Sequence, residues 1–247
     1  MATSEETAQL SAILTTVGTI PKPQCEVTAL LAMVGQRYRG DLMVVGRAVY
    51  GWKDSRVLSQ LADHAGAAEF ADSIRKTVEA DSTGRCPMLW VTDIWEHPKL
   101  PDKRTNNRSS FWRVIRSVIR QLGIADAEDA AWPSTIVWSN LYKVAPARGA
   151  NPTGRLLTIQ QSGCIDLFRL ELKTYRPSRL LLLTGNAWAI PFLSLGASDD
   201  ESWSFERPFI ERSGVIPASG TRYVVAPHPQ GKDEKRWVTD VISVFES

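Results

Sequence analysis

Residues 135–153 read TIVWSNLYKVAPARGANPT, and this stretch combines a buried strand with a polar strand end. Residues 135–144 are mostly branched or aromatic and apolar, as in strands that are covered on both faces. Glycine, asparagine and proline follow, and these residue types end strands and form turns. Because parallel sheets bind ligands beyond the carboxyl ends of their strands, we expect functional side chains here.

Four other segments share the pattern of a short apolar run bounded by turn residues, and they are 41–49, 86–95, 179–184 and 222–226. Apolar side chains at helical spacing predict helices at 10–17, 111–122, 159–172 and 237–245. Gly163 weakens the third of these helices. Strands that alternate with helices favour a parallel sheet, because each crossover packs its helix back onto the sheet. The predicted fold is therefore α/β, a three-layer α/β/α sandwich with a central, mainly parallel β-sheet.

The chain has 247 residues, with 29 Lys and Arg against 27 Asp and Glu, and 43% of its residues are hydrophobic. This composition and length are typical of a globular protein whose hydrophobic core is large enough to be stable without a metal or disulfide. We expect a single domain over 1–247, with an N-terminal helical extension at about 1–40 and an insert at about 53–108. Segments 96–110 and 194–219 are rich in turn-forming and charged residues, so they are predicted loops.

The first twenty residues carry Glu5 and Glu6 where a secretory signal carries positive charge, and they lack a long apolar segment. The apolar runs, such as the four leucines 180–183, are far shorter than the roughly 20 residues of a membrane-spanning helix. These features predict a cytoplasmic protein without a membrane role.

Cys25, Cys86 and Cys164 stand far apart without a CxxC pair. Their spacing argues against disulfides, a four-cysteine zinc site and an iron–sulfur cluster, so we expect no metal and no cofactor. Nine tryptophans outnumber seven phenylalanines and five tyrosines. Tryptophan suits cores, interfaces and pockets that stack a ring, and composition alone does not choose among them.

Each of four predicted strand ends carries a distinct motif. The first strand ends in a run that contains two glycines, Gly46-Arg47-Ala48-Val49-Tyr50-Gly51-Trp52. The third ends in SNLYKVAP at 139–146, followed by RGANPT at 148–153. The fourth leads into TGNAW at 184–188, and the last ends in APHPQG at 226–231.

In this order and at these spacings the four motifs resemble the uracil-DNA glycosylase superfamily. There, a Gly-containing motif positions the attacking water, and an Asn reads the base within a pattern similar to TNVVKCRPPxxRxPTxxE. A G-x-x-A turn and a His-Pro-Ser motif follow. The resemblance covers the chain from about residue 41 to the C-terminus, interrupted at 53–108. It implies a uracil-DNA glycosylase-like fold and a monofunctional enzyme that cleaves N-glycosidic bonds.

The resemblance implies catalytic roles for Asn140, which would read the flipped base, and His228, which would stabilise the base as it leaves. The residue chemistry is suitable. An amide both donates and accepts hydrogen bonds, and a histidine N–H can donate to a base carbonyl that gains negative charge. The alternatives are a capping or turn asparagine and a packed or exposed loop histidine. The functional interpretation is favoured because a strand and two prolines flank the histidine.

The residues that the resemblance assigns to a base pocket are Gly46, Arg47, Ala48, Tyr50, Phe111 and Trp112. Tyr50 matches the tyrosine that uracil-specific members place against the pyrimidine C5 edge. Phe111 and Trp112 match the start of a helix that supplies a stacking ring, which restores about 1–3 kcal/mol of stacking. For these two residues, core packing on an amphipathic helix is an equal alternative. Trp52 and Trp188 are further candidates for the pocket wall, although a structural role is favoured for both.

Contacts to the DNA backbone require positive charge and hydrogen-bond donors. The candidates are Lys143, Arg148, Arg155, Gln230 and Lys232. A predicted helix N-terminus after the histidine motif can also receive a phosphate. The alternative there is solvated charge interspersed with Asp233 and Glu234. The expected partner is double- or single-stranded DNA that contains a modified base, and the expected state is a monomer.

The water-activating position departs from the family pattern. Relatives with GQDPY, GEAPG or GINPG motifs place Asp, Glu or Asn where this chain has Arg47 and Ala48, and neither of these can act as a base. Candidate replacements are Asp54, Asp93, Glu96 and His97, although each is also typical of a surface or capping residue. The remaining alternative is that the chemistry relies on His228 and a base that leaves readily.

The predicted function is therefore a DNA glycosylase that removes a modified pyrimidine and leaves an abasic site. The altered motif, the many tryptophans and the insert before Phe111 suit a larger base, such as the glucosylated hydroxymethylcytosine of phage DNA, which points to antiviral defence; the other candidate base is uracil. The first alternative is a catalytically silent binder of modified DNA. The second is an α/β enzyme that acts on a small molecule and has no connection with DNA.

Overall fold

The structure is a computed structural model that describes residues 2–49, 54–83, 88, 91, 109–126, 128–194, 198–202 and 206–247. In this part of the chain the helices span Ser4–Gly18 (α1), His64–Thr83 (α2), Ser110–Gln121 (α3), Gly154–Tyr175 (α4), Asn186–Leu193 (α5) and Glu234–Phe245 (α6). The strands span Glu26–Ala29 (β1), Met33–Val34 (β2), Leu42–Ala48 (β3), Ser55–Val57 (β4), Ile136–Tyr142 (β5), Val144–Pro146 (β6), Arg179–Leu182 (β7), Ser198–Ser202 (β8), Arg212–Ile216 (β9) and Thr221–Val225 (β10). Short 3₁₀ helices span Leu58–Leu61 and Trp132–Thr135.

The larger sheet of the described residues has seven strands in the order β2-β5-β3-β7-β10-β9-β8. Strands β3, β7 and β10 are parallel neighbours, and Val45, Leu182 and Val225 stand in register across them. The carboxyl ends of these three strands therefore lie at one edge of the sheet. Strand β9 pairs antiparallel with both β10 and β8. The fold is mixed α/β with a mainly parallel central sheet flanked by helices, which is compatible with the predicted α/β/α sandwich.

Four of the predicted strands are confirmed as β3, β5, β7 and β10, and the four predicted helices as α1, α3, α4 and α6. Most of the predicted strand 86–95 lies outside the described residues. At buried Met88 and Val91 the prediction is wrong, because the N–H of Val91 donates to the carbonyl of Met88 over 2.8 Å, as in a turn or helix. The loop predicted over 194–219 is wrong, because β8 and β9 lie in it. The sequence of β8, SDDES, lacks the apolar run that marks a buried strand.

The N-terminal extension is helical only in α1, since β1 and β2 follow it, and the insert contains α2. By their internal contacts the residues form two compact units. The first consists of Met1–Met33, Gly46–Ala80 and Trp138–Tyr175. The second consists of Val34–Val45, Asp81–Val137 and Arg176–Ser247. The chain passes from one unit to the other within β2, β3, α2 and β5, and directly after α4.

The first unit contains a small antiparallel sheet, in which β1 pairs with β4 and β6. Helices α1 and α4 pack against each other closely at Gly163. A Cβ atom added at Gly163 would lie 2.6 Å from Cγ1 of buried Ile13, far inside van der Waals contact. Gly163 therefore does not interrupt α4. Instead, its missing side chain lets the two helices approach.

In the second unit, α6 packs against β10 and α3 packs against α6. Arg113 of α3 and Glu234 of α6 form an ion pair, in which Nε of Arg113 donates to Oε2 over 2.9 Å. Trp237 anchors α6 in the core of the second unit, since its side chain has no exposed surface. No helix within the described ranges combines the length and apolar character needed to cross a membrane.

Candidate active site

His228 follows β10, at the edge of the sheet where the parallel strands end. The main-chain N–H of Gln230 donates to Nδ1 of His228 over 3.2 Å. Because Nδ1 accepts this hydrogen bond, the proton of the neutral imidazole lies on Nε2. His228 is half-buried. The imidazole therefore carries an N–H donor of the kind that the resemblance requires.

The backbone around His228 is held on both sides. Nε1 of Trp237 donates to the carbonyl of Pro227 over 3.0 Å. The main-chain N–H of Lys232 donates to the carbonyl of Pro229 over 3.0 Å. Trp237, one of the nine tryptophans, thus links α6 to the histidine motif.

Phe111 lies beside His228 in the second unit. The two ring centroids are 6.1 Å apart and the ring planes are inclined by 22°, which is a stacked arrangement. The structure therefore brings together two residues that the sequence predicted for one site. Trp112 is buried, with its ring 6.3 Å from that of Trp132. Trp112 therefore has the core-packing role, because its ring is buried within the second unit.

The N-terminus of α6 is already capped by acidic groups. Asp233 accepts a hydrogen bond from the main-chain N–H of Arg236 over 3.1 Å. Glu234, in the first turn, pairs with Arg113. A phosphate at this terminus would meet two carboxylates, which contradicts the phosphate site predicted there. Gln230 and Lys232 are exposed, so both side chains are accessible to a DNA backbone.

Asn140 lies in β5 and is only 3% exposed. Its Nδ2 is shielded from solvent, and no acceptor among the described residues bonds it. A buried donor left without an acceptor costs about 1–3 kcal/mol, so folded proteins keep few of them. Trp138 and Tyr142 share its face of β5, since successive side chains of a strand alternate. A carbonyl oxygen of a bound ligand would satisfy this donor.

Ser139 of β5 and Lys143, which directly follows the strand, both meet Glu171 of α4. Nζ of Lys143 lies 2.6 Å from Oε1 of Glu171 and donates to Oγ of Ser139 over 2.7 Å. Ser139 in turn donates to Oε2 of Glu171 over 2.9 Å. Lys143 and Glu171 are almost completely buried. The predicted backbone contact of Lys143 is therefore wrong, because its ammonium is enclosed in an ion pair.

Burial raises the pKa of the Glu171 carboxyl, and the Lys143 ammonium opposes that effect. Next to this pair, the amide of Gln160 bonds both main-chain groups of Val144, over 2.8 and 3.0 Å. Burial also raises the pKa of the neighbouring Cys164 thiol to about 12. These contacts fasten the β5–β6 junction to α4. Sequence reasoning missed Glu171, although a lysine inside an apolar strand signals a buried carboxylate partner.

The first sequence motif ends β3, where Gly46 is buried and Arg47 and Ala48 are half-buried. Asp54, a candidate for water activation, accepts a hydrogen bond from Oγ1 of Thr77 over 2.9 Å. That contact ties the segment before β4 to α2 and favours a structural role for Asp54. Other candidates lie outside the described residues, and they are Tyr50, Trp52, Asp93, Glu96 and His97. Trp188 is half-buried in the first turn of α5.

The predicted site residues divide between the two units. The first unit holds Gly46, Arg47, Ala48, Asn140, Arg148 and Arg155. The second unit holds Phe111, His228, Gln230 and Lys232. In the part of the chain that is described, no group of His, Cys, Asp and Glu is arranged to hold a metal ion. A scan of the sequence against protein-family models gives no match, and a search of curated proteins gives no significant match either.

Proposed function

We propose that the protein is a DNA glycosylase with a uracil-DNA glycosylase-like fold, which flips a modified pyrimidine out of DNA and hydrolyses its N-glycosidic bond. The observation that carries the proposal is the unbonded Nδ2 of Asn140, a buried donor at the strand that bears the recognition motif. Every pyrimidine base has a carbonyl that can accept from this group. A base carbonyl that reached this atom would meet little competition from water, so the hydrogen bond would be strong and selective.

His228 acts on the departing base. During hydrolysis the water oxygen bonds to C1′ while the bond from C1′ to the base nitrogen breaks. The electron pair of that bond passes to the base, and negative charge grows on the base carbonyl. The attacking water releases its proton to solvent, and the departed base takes up a proton from solvent. The Nε2–H of His228, set by the hydrogen bond from Gln230, stabilises this charge. Phe111 holds the imidazole plane by stacking against it.

The second candidate function is a catalytically silent binder of modified DNA. It is favoured by Arg47 and Ala48, since neither side chain can take a proton from the attacking water. Both functions use the same base recognition by Asn140. They differ in whether an abasic product forms.

An abasic-site assay tests the proposal. Single- and double-stranded oligonucleotides that contain uracil, hydroxymethylcytosine or glucosylated hydroxymethylcytosine are incubated with the protein, and strand cleavage by alkali is then measured. We expect alkali-labile sites with at least one of these bases and none with unmodified DNA. Preferential binding of DNA that contains a modified base, with no abasic product, would establish the silent binder. Neither product nor preferential binding would refute both functions.

A further inference from the structure

The first unit contains a cavity of about 570 Å³ that takes no part in the roles of Asn140 or His228. It is formed by the turn after α1, the start of β1, the end of β6 and the first turn of α4. Its volume is within the range of sites that bind small molecules, about 300–1,000 Å³. Much of the wall is apolar, with contributions from Ile20, Val27, Leu58 and Leu156.

Three exposed cations line this cavity, and they are Lys22, Arg148 and Arg155. The carboxylate of Glu26 is the opposing charge in the described lining. Salt bridges within the described ranges use other cations, and none of these three side chains takes part in one. The cavity therefore has an excess of uncompensated positive charge.

The position of Arg155 strengthens this interpretation. It lies in the first turn of α4, and that turn has no acidic residue. A helix N-terminus is the positive end of the helix dipole, so a cation there is electrostatically unfavourable. An anion in the cavity would be attracted to both Arg155 and the helix end.

Main-chain hydrogen bonds hold the walls in place. The N–H of Cys25 donates to the carbonyl of Lys22, and the N–H of Leu58 donates to that of Cys25, both over 2.9 Å. The N–H of Ala147 donates to the carbonyl of Glu26 over 3.1 Å. These bonds fix the turn that carries Lys22 and the segment before Arg148, and such preorganisation lowers the cost of binding a ligand.

We propose that this cavity binds a nucleotide, with the phosphate on the three cations and the sugar or base against the apolar wall. An inorganic anion alone would leave the apolar wall without a partner. A free nucleotide and a nucleotide within a DNA strand both have this chemistry, and the experiment distinguishes them. The inference does not depend on glycosylase activity, since its measurements are of binding and of thiol protection.

Affinity is measured for two probes, deoxycytidine monophosphate and an unmodified single-stranded oligonucleotide. The cavity variant combines Arg148→Gln with Arg155→Gln. The control combines Arg169→Gln with Lys173→Gln, which removes the same charge from exposed positions later in α4. We expect the cavity variant to weaken binding by roughly tenfold or more, and for the oligonucleotide to reduce the slope of log K against log salt by about 1.4. The control should stay near the native affinity.

Cys25 provides a local reporter, because its thiol is exposed and lines the cavity. Alkylation of Cys25 by iodoacetamide is followed by mass spectrometry with and without each probe, and buried Cys164 is the internal reference. A bound nucleotide should slow the alkylation in proportion to the occupied fraction. Protection by the monophosphate identifies a free nucleotide, and protection by the oligonucleotide alone identifies a DNA strand. Unchanged alkylation with both probes, or native affinity in the cavity variant, would overturn the proposal.

Discussion

The main-chain N–H of Gln230 donates to Nδ1 of His228 over 3.2 Å, and this contact decides which imidazole nitrogen carries the proton. A histidine that stabilises a leaving base must present an N–H, and here that N–H is on Nε2. The donor belongs to the backbone, so the side chain at position 230 is not required for it.

Substitutions at Gln230 test this contact. Gln230→Pro removes the N–H, whereas Gln230→Ala keeps it. With the best substrate of the abasic-site assay, we expect Gln230→Pro to lower kcat by about tenfold, the lower range for misplacing a catalytic donor, with KM little changed. Gln230→Ala should keep most of the kcat. Equal rates in the two variants would show that the backbone contact has no catalytic effect.

His228→Ala should reduce kcat by roughly 10²–10³, which is the usual effect of removing one donor from a developing oxyanion. The matched control is His64→Ala, since His64 is exposed at the start of α2. Initial rates of abasic-site formation measure both variants. Native activity in His228→Ala would exclude the leaving-group role.

Asn140→Ala should weaken base recognition while affecting the fold little. The substitution removes a buried donor that has no described partner, which offsets part of the lost packing, and we expect the free energy of unfolding to change by less than about 1 kcal/mol. The control is Gln160→Ala, because that buried amide is fully bonded. Its loss should cost more than about 2 kcal/mol. Urea denaturation gives both values, and equal losses would show that Asn140 is structural.

Lys143→Met should destabilise the protein by about 3–5 kcal/mol, because it leaves the buried carboxyl of Glu171 without a cationic partner. Adding Glu171→Leu should recover much of that loss. In Lys143→Met the pKa of Glu171 rises further, so the folded state prefers the protonated carboxyl. The protonated carboxyl of Glu171 therefore contributes its stability below the ordinary glutamate pKa, and that contribution is lost as pH rises through its raised pKa. Urea denaturation of the single variant should therefore show a larger deficit at pH 8 than at pH 5, and a pH-independent deficit would contradict this account.

Gly163→Ala should cost about 1–3 kcal/mol, because the added methyl group overlaps Ile13 across the α1–α4 contact. In an Ile13→Ala background the same substitution should instead stabilise the protein, since it fills the space and improves helix propensity. The sign of the effect in the two backgrounds, measured by thermal unfolding, is the test. A cost that is the same in both would rule out the contact.

The sequence by itself determined the elements whose signals are local. Apolar runs identify β3, β5, β7 and β10, and helical spacing identifies α1, α3, α4 and α6, because buried faces impose their periodicity on the chain. The motif at 226–231 also indicates that His228 follows a strand, because two prolines and a glycine come directly after the apolar run 222–226.

Only the tertiary structure decided which groups meet. Glu171 lies 28 residues from Lys143, and no local pattern pairs them, so the sequence predicts a DNA contact for the Lys143 charge. Gly163 weakens a helix by its propensity, and only the position of Ile13 on α1 shows that the two helices approach there. Strand β8 has a polar sequence without an apolar run. It is recognised only by its antiparallel pairing with β9. Pairing across the sheet and packing between helices depend on distant residues, and those are the relationships that periodicity does not encode.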